Sequence, residues 1–206
     1  MPQPPNRWTE LVGEGHGHRY DQRFSDLAAS GVDVHGEARF CAARLRPGAR
    51  ILDAGCGTGR VAVWLAEQGF DCVGVDVDAS MLDQARARAP QLPWVHRDLA
   101  ELDSVDLGAD FDAVIAAGNV IPLLAGGTEA RAVGRLAERL RPDGLLIAGF
   151  GLDAAHLPLS EAPVQLADYD SWCRVAGLEL RERYATWDGD PYTEGGYAVS
   201  VHTRPR

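Results

Sequence analysis

The sequence predicts a doubly wound α/β domain with a mixed sheet. Three observations carry this prediction. Short apolar runs alternate with amphipathic helical patterns between residues 50 and 150. Two of these runs end in a carboxylate, Asp53 and Asp76, where a buried parallel strand is expected to end. Residues 178–203 alternate apolar and polar side chains around a glycine-containing turn, which is typical of an antiparallel hairpin at a sheet edge.

The first 46 residues are predicted to form a flexible segment followed by helices. Residues 1–18 are rich in proline, glycine and polar side chains, and we expect them to be loosely ordered. Apolar side chains at helical spacing predict one helix from Tyr20 to Ala29 and another from about His35 to Leu45. A Pro-Gly pair at 47–48 ends the second helix. The length of the chain suits a single domain over residues 1–206.

A glycine-rich turn joins the first predicted strand to the helix that follows it. Apolar residues lead into Asp53, a helical pattern starts at Arg60, and glycines stand at every second position between them: Gly55, Gly57 and Gly59. Glycine permits positive φ and lets a ligand approach bare backbone. The start of the helix leaves backbone N–H groups that point at such a ligand. The turn therefore predicts a small-molecule cofactor site.

The other elements continue the alternation. Further strands are predicted from short apolar runs at 72–76, 94–96, 111–116 and 145–150. Asp78 is the predicted N-cap of the helix after the second strand, and Thr128 that of the helix before the fifth. Arg141 to Gly144 is predicted to be a turn. A short helix over 168–176 precedes the hairpin, whose strands are predicted at 178–184 and 197–203.

Composition excludes several classes of function. The net charge is −10, and such a field repels phosphates, so nucleic acid is disfavoured as a partner. The chain has no lysine, which excludes a P-loop nucleoside triphosphatase, a pyridoxal-phosphate enzyme and a protein kinase, because each of these needs a lysine in its site. The four cysteines include no Cys-x-x-Cys pair, and no metal site is predicted. No apolar run approaches a membrane span, and the N-terminus has no signal-peptide pattern, so we expect a cytoplasmic location.

The spacing of glycines and acids indicates which nucleotide binds. Asp76 lies 21 residues after Gly55 (76 − 55), which suits a carboxylate that accepts hydrogen bonds from ribose hydroxyls. A dinucleotide fingerprint needs its third glycine at position 60, where this chain has arginine. Asp53 would repel a pyrophosphate. The turn therefore favours a cationic nucleoside without phosphate.

Five short motifs occur in order at matching spacing: 53–59, 75–76, 98–99, 111–114 and 140–144. This series, from Asp-Ala-Gly-Cys-Gly-Thr-Gly to Leu-Arg-Pro-Asp-Gly, resembles class I S-adenosylmethionine-dependent methyltransferases over about residues 35–150. The resemblance implies a Rossmann-like, seven-stranded α/β/α sandwich with strand order 3-2-1-4-5-7-6 and an antiparallel last strand. It also implies S-adenosylmethionine as cofactor and S-adenosylhomocysteine as product.

The same resemblance implies which residues hold the cofactor. The matching positions are Tyr20, Arg23, Asp53, Gly55, Cys56, Gly57, Gly59, Asp76, Val77, Met81, Asp98, Leu99, Ala117 and Gly118. The glycines would pass beneath the methionine and the ribose, with Asp53 below them. Asp76 would bind the ribose hydroxyls and Asp98 the adenine amino group. Tyr20 and Arg23, on a helix that resembles the family's N-terminal lid, would reach the methionine carboxylate.

The methyl acceptor is predicted only by class. Residues 119–122 depart from the signature of nucleic-acid amino methylation, and no insertion supplies a substrate domain, so a small-molecule acceptor is expected. Acceptor contacts would come from the lid, the 118–127 and 151–166 loops and the hairpin. Of the two interpretations of Trp172, Trp187 and Tyr192 nearby, lining of an acceptor pocket or packing under the hairpin, we favour packing. His16, His18 and His202 are candidate bases, and none is assigned a catalytic role.

Two other classes of function stay open at this stage. One is a non-catalytic methyltransferase-like domain that binds a cofactor or a partner protein. The other is a NAD-binding oxidoreductase, which Asp53 and the arginine at position 60 oppose. The sequence carries no signal for self-association and allows a monomer or a homodimer.

Overall fold

A computed structural model describes residues 5–13, 16–108 and 110–206. Its seven-stranded sheet has the order β3-β2-β1-β4-β5-β7-β6, and β7 runs antiparallel to both of its neighbours. The predicted fold and strand order are confirmed. The strands are β1 (Arg50–Ala54), β2 (Asp71–Asp76), β3 (Trp94–His96), β4 (Phe111–Ala116), β5 (Leu140–Gly151), β6 (Glu179–Tyr184) and β7 (Tyr197–Thr203).

Helices cover both faces of the sheet. They are α1 (Arg7–Val12), α2 (Gly17–Ala29), α3 (Gly36–Ala42), α4 (Arg60–Glu67), α5 (Ala79–Arg88), α6 (Val120–Leu123), α7 (Glu129–Glu138) and α8 (Leu166–Val175), with a 3-10 helix at Leu99–Ser104. α1 corrects the expectation that residues 1–18 are loosely ordered, because Asn6 caps this helix by accepting from the Trp8 N–H. Residues 1–4, 14 and 15 of that segment lie outside the described residues. α6 was also not predicted.

The core has two layers, one on each face of the sheet. One layer lies between the sheet and the 3-10 helix, α7 and α8, and includes the fully buried Phe111 and Leu136. The other lies between the sheet and α3 and α4, and includes Ile51 and Ile115. Each such side chain contributes about 1.5–3 kcal/mol through burial. The carboxyl edge of the sheet is left free to carry a site.

One local expectation is refined and one needs correction. The predicted turn at residues 141–144 lies inside β5, which begins at Leu140: the pairing with β4 skips these four residues, and Asp143 has a φ of 64°. The chain end stabilises this segment, because the Asp143 N–H donates to the Arg204 carbonyl and the Arg204 N–H donates to the Gly144 carbonyl. Thr128 stands at the N-cap position of α7, but its hydroxyl donates to the Ala125 carbonyl and caps no helix N–H. Within the described residues, no helix is long and apolar enough to cross a bilayer.

Candidate active site

A cavity opens at the carboxyl ends of β1, β2 and β4, the edge of the sheet where α/β domains bind ligands. It encloses about 840 Å³ of empty space, part of which is open to solvent. Most of the residues that the sequence indicated line this one cavity. They are Tyr20, Asp53, Gly55, Cys56, Gly57, Asp76, Val77, Met81, Leu99, Ala117 and Gly118.

The three glycines of the turn have different tasks. All three have positive φ, but only Gly57 would point a Cβ into open space. A Cβ on Gly55 would lie 2.6 Å from the Val120 side chain, and one on Gly59 would lie 2.6 Å from the Trp94 ring. Gly59 therefore serves packing between the turn and β3, and it does not line the cavity. Gly57 leaves bare backbone facing the cavity.

Replacing Gly57 with alanine is expected to weaken S-adenosylhomocysteine binding about tenfold or more, because the new methyl group occupies cavity space. The left-handed backbone also costs about 1–2 kcal/mol of stability. Gly48 is the matched control, because it has a φ of 74°, has nothing within 4 Å of a Cβ and lies outside the cavity. Gly48→Ala should cost similar stability and leave the affinity unchanged in titration calorimetry. Equal affinities for both variants would contradict this role of Gly57.

Asp76 is held at the end of β2 by the backbone. One carboxylate oxygen accepts from the Gly57 N–H at 2.7 Å and the other from the Asp78 N–H at 2.8 Å. Backbone N–H groups thus hold one side of the carboxylate, and because Asp76 also lines the cavity, hydroxyl donors there can reach its remaining lone pairs. Burial raises the pKa of Asp76 to about 6. Asp78, as predicted, caps α5 by accepting from the Ser80 and Met81 N–H groups.

Asp53 lies beneath the turn and is 2% exposed. Its carboxylate accepts from the Ala62 N–H at 3.1 Å, in the first turn of α4. Burial raises its pKa to about 7. Because Asp53 already places negative charge at the start of α4, that helix end is poorly suited to a phosphate. A cation above the turn would lower the energy of both buried carboxylates.

The other two predicted residues lie away from the cavity lining. Asp98 caps the 3-10 helix by accepting from the Ala100 N–H at 2.8 Å, while its neighbour Leu99 lines the cavity. Arg23 lies in a shallow depression on the outer surface of α2, together with His18. Neither side chain lies in the cavity lining, because α2 directs Arg23 outward and the strand end before Asp98 directs its carboxylate to the 3-10 helix.

The N-terminal helices cover the cavity through contacts that sequence reasoning missed. The Trp8 indole N–H donates to the Asp78 carboxylate at 3.0 Å, and the Trp8 ring lies edge-on to Tyr20 at 6.0 Å. Arg7 forms an ion pair with Glu129 at 2.8 Å. In the sequence, the only indication of these contacts was the presence of a tryptophan, Trp8, in a proline-rich stretch. The additional lining residues are Asn6, Trp8, Thr58, Arg60, Val61, Val120, Leu123 and Leu124.

Arg60 ties the lid to the cofactor turn. Its two terminal nitrogens each donate to the Glu37 carboxylate at 2.8 Å, and one also donates to the Val34 carbonyl. The guanidinium lies 4.7 Å above the Phe24 ring of α2. One side chain thus joins the first turn of α4 to α2 and α3.

The three candidate histidines do not line the cavity. The ring of His16 lies 5.8 Å from that of Trp8, and its Nδ1 is 3.2 Å from Arg19. His202 is buried on the face of β7 that packs against Tyr169 of α8. Burial lowers the pKa of His202 to about 4, so it is neutral at physiological pH.

Comparison with known proteins identifies the family. A sequence model described as a methyltransferase domain matches residues 51–144. The crystal structure of a TehB-like SAM-dependent methyltransferase from Corynebacterium glutamicum is 36% identical, with a TM-score of 0.81. That match covers 92% of this chain and 98% of the other. The chain belongs to the SAM-dependent methyltransferase family.

Named relatives in this family are longer than this chain. The demethylmenaquinone methyltransferase of Beutenbergia cavernae is 37% identical over 126 residues, which are 59% of this chain and 51% of the relative. The dTDP-3-amino-3,6-dideoxy-alpha-D-glucopyranose N,N-dimethyltransferase of Streptomyces fradiae is 35% identical over 139 residues, 67% of this chain and 49% of the relative. The chain spans about half the length of the curated relatives it matches.

The cavity of this SAM-dependent methyltransferase family member fits the family's cofactor. Gly57 and Gly118 have positive φ, line the cavity and leave open space where a Cβ would stand. Asp76 lines the cavity and can accept from a ribose, and buried Asp53 favours a positively charged group above the turn. The lining therefore combines what a nucleoside with a cationic tail needs.

Proposed function

We propose that the chain binds S-adenosylmethionine and transfers its methyl group to a small-molecule acceptor. The observation that carries the proposal is the pair of buried carboxylates, Asp53 and Asp76, on either side of a turn with bare backbone at Gly57. This arrangement suits ribose hydroxyls and a cation and disfavours a pyrophosphate.

Each lining residue has a proposed task. Asp76 accepts from the ribose hydroxyls, Val77 and Met81 contact the adenine, and Leu99 offers its backbone to the adenine edge. Asp98 remains the predicted acceptor for the adenine amino group. Gly55, Cys56 and Gly57 pass beneath the methionine portion, and Ala117 and Gly118 border the sulfonium. Tyr20 covers the methionine end. Arg23 acts as part of the lid, and Gly59 acts through packing.

When bound, S-adenosylmethionine supplies a methyl group activated by its sulfonium charge. The chain contributes position and exclusion of water. An in-line displacement requires the acceptor atom about 3–3.5 Å from the methyl carbon on the side opposite the sulfur. Trp8 and Tyr20 line the cavity and lie edge-on to each other, a position from which they would shield that line from water.

The broader assignments are proposals of the same kind. The acidic charge of −10 supports a small molecule rather than nucleic acid as the acceptor. A single domain over residues 1–206, a cytoplasmic location and a monomer or homodimer complete the proposal. The relative from Streptomyces fradiae, whose name gives a nucleotide-linked amino sugar as its substrate, supports a small-molecule acceptor.

Titration calorimetry with S-adenosylhomocysteine and with NAD tests the cofactor. We expect binding of the first and none of the second, and the reverse result would favour an oxidoreductase. A screen of small metabolites for S-adenosylhomocysteine release tests turnover. A protein that binds S-adenosylhomocysteine but releases none with any acceptor would favour the non-catalytic alternative.

The cofactor's charge should couple its binding to pH. Burial raises the pKa of Asp53 to about 7 and of Asp76 to about 6, against about 3.9 in an unfolded chain. The ligand-free fold therefore holds extra protons between about pH 4 and 7, and its unfolding free energy falls as pH rises through this window. A cationic ligand favours the ionised carboxylates, so protons leave when it binds.

S-adenosylmethionine should thus bind more tightly at pH 7.5 than at pH 5.5. Calorimetry at pH 6.5 in two buffers that differ in ionisation enthalpy should show net proton release. Asp53→Asn should reduce that release. A binding enthalpy that is the same in both buffers would contradict the coupling.

A further inference from the structure

A histidine–aspartate pair lies just beyond the carboxyl end of β5. His156 Nδ1 is 2.7 Å from an Asp153 carboxylate oxygen, and this hydrogen bond lowers the pKa of Asp153. When the carboxylate accepts the Nδ1 hydrogen, Nε2 is left with a lone pair. Among the hydrogen bonds of the described residues, His156 Nε2 has none. The pair therefore presents a proton acceptor of fixed tautomer.

Asn119 fastens this pair to the rim of the cavity. Its side-chain amide donates to the His156 carbonyl at 3.1 Å, and its oxygen accepts from the Gly151 N–H at 2.7 Å. The residues on either side of it, Gly118 and Val120, line the cofactor cavity. Asn119 therefore fixes the position of His156 relative to the cavity lining.

Gly149 and Gly151 of β5 make room for Trp187, Tyr197 and His156 on the same sheet face as the cavity. We call these three residues the acceptor wall. Gly149 lies level with Ala117, because their neighbours Ala148 and Ala116 are paired. A Cβ on Gly149 would lie 2.3 Å from the Trp187 ring and 3.0 Å from the Tyr197 hydroxyl. A Cβ on Gly151 would lie 2.6 Å from the His156 carbonyl oxygen.

The acceptor wall lies beside the cavity and contributes none of its lining residues. The backbone beneath it, at Gly149, is one strand, roughly 5 Å, from Ala117, which is proposed to border the sulfonium. The Trp187 N–H donates to the Tyr197 hydroxyl at 2.9 Å, and the His156 ring lies 6.4 Å from the Tyr197 ring. Trp187 also packs on Phe40 at 5.3 Å, as its sequence interpretation indicated. The contacts with Tyr197 and Phe40 therefore hold Trp187 in place.

The loops around the wall carry only negative formal charge. Residues 151–166 and 185–196 contain no arginine, and the chain has no lysine. Their five acids are all exposed: Asp153, Glu161, Asp188, Asp190 and Glu194. Arg39 of α3 and Arg60 of α4 act on this region from outside the loops, through Asp188 and Tyr197. The loops themselves add only negative charge, which favours a basic amine over an acceptor that carries carboxylate or phosphate.

We propose that His156 is the general base of methyl transfer to a small amine, with Asp153 as its positioning residue. This inference rests on the proposed function. His156 Nε2 takes a proton from the bound ammonium, which frees the nitrogen lone pair and makes the imidazole cationic. The neutral nitrogen then forms a bond to the methyl carbon, the carbon–sulfur bond breaks and its electron pair stays on sulfur, so the sulfonium becomes a neutral thioether and the product leaves as the methylated ammonium. Trp187 and Tyr197 hold the carbon skeleton of the amine.

The test measures S-adenosylhomocysteine release with defined probes. Benzylamine, tyramine and glucosamine are the amine probes, and catechol, benzoate and benzylthiol represent other acceptors. We expect turnover of an amine and a kcat about 100-fold lower in His156→Gln, since a general base contributes 10²–10⁴-fold. Asp153→Asn should lower kcat about tenfold and change its pH profile. His18→Gln is the matched control, because His18 lies on the outer surface of α2.

The pH profile separates a base from a structural contact. In the described chain, the ionisable groups against His156 are Asp153 on its own loop and Tyr197 from β7. The rise of kcat on the acid side should be lost in His156→Gln, while its S-adenosylhomocysteine affinity stays within twofold of the parent. Parent-like kcat and pH profile in His156→Gln would overturn the proposal. So would a protein that binds S-adenosylhomocysteine but turns over no amine, whereas absence of that binding would overturn the proposed function itself.

Discussion

Asp76→Ala is expected to weaken S-adenosylhomocysteine binding about 10²- to 10⁴-fold. The carboxylate lines the cavity and can accept from the ribose hydroxyls while it keeps its hydrogen bonds to the Gly57 and Asp78 N–H groups. Each hydrogen bond to a charged group contributes about 1.5–3 kcal/mol, and about 1.4 kcal/mol corresponds to tenfold in affinity. Titration calorimetry of the parent and variant measures the difference.

Asp76 also supports the turn, so its effect on folding must be measured separately. The variant leaves the Gly57 and Asp78 N–H groups without their acceptor. We expect the ligand-free variant to have a lower melting temperature than the parent. The affinity test is valid as long as Asp76→Ala is still folded at the temperature of the calorimetry. Asp83→Asn is the matched control, an exposed acid on α5, and should bind as the parent does. An affinity loss below fivefold in folded Asp76→Ala would contradict the ribose role.

Arg60→Met is expected to lower the free energy of unfolding by about 3 kcal/mol, because it leaves Glu37 without its partner. The side chains of Arg60 and Glu37 are 12% and 20% exposed. Burial acts to raise the pKa of Glu37, but the hydrogen bonds and charge of Arg60 outweigh it, and that pKa is lowered. Urea denaturation at pH 7 measures the loss.

The partner substitution shows whether an isolated charge is the cause. Glu37→Gln combined with Arg60→Met should recover part of the stability, because Glu37 is then no longer left as a charge without its partner. Arg86→Met removes an exposed ion pair with Asp83 and should change stability by less than about 0.5 kcal/mol. A loss below 1 kcal/mol in Arg60→Met would mean that the lid attachment depends on other contacts.

Local rules predicted most of the fold because its signals are local. Apolar runs of strand length and the Asp78 cap depend only on neighbouring residues. The differences lie where residues distant in sequence decide the structure. The segment 141–144 inside β5 is held by hydrogen bonds that Asp143 and Gly144 exchange with Arg204, some sixty residues away in sequence.

The sequence by itself determined the cofactor turn, because the spacing of Asp53, the three glycines and Asp76 follows from one strand, one turn and the next strand end. Only the tertiary structure decided what closes and flanks that turn. Trp8 reaches Asp78 across 70 positions, and Arg60 reaches Glu37 across 23. Asn119 joins His156 to the cavity rim across 37. Such pairings are set by how helices and loops pack over the sheet edge, and no local pattern of spacing or propensity specifies them.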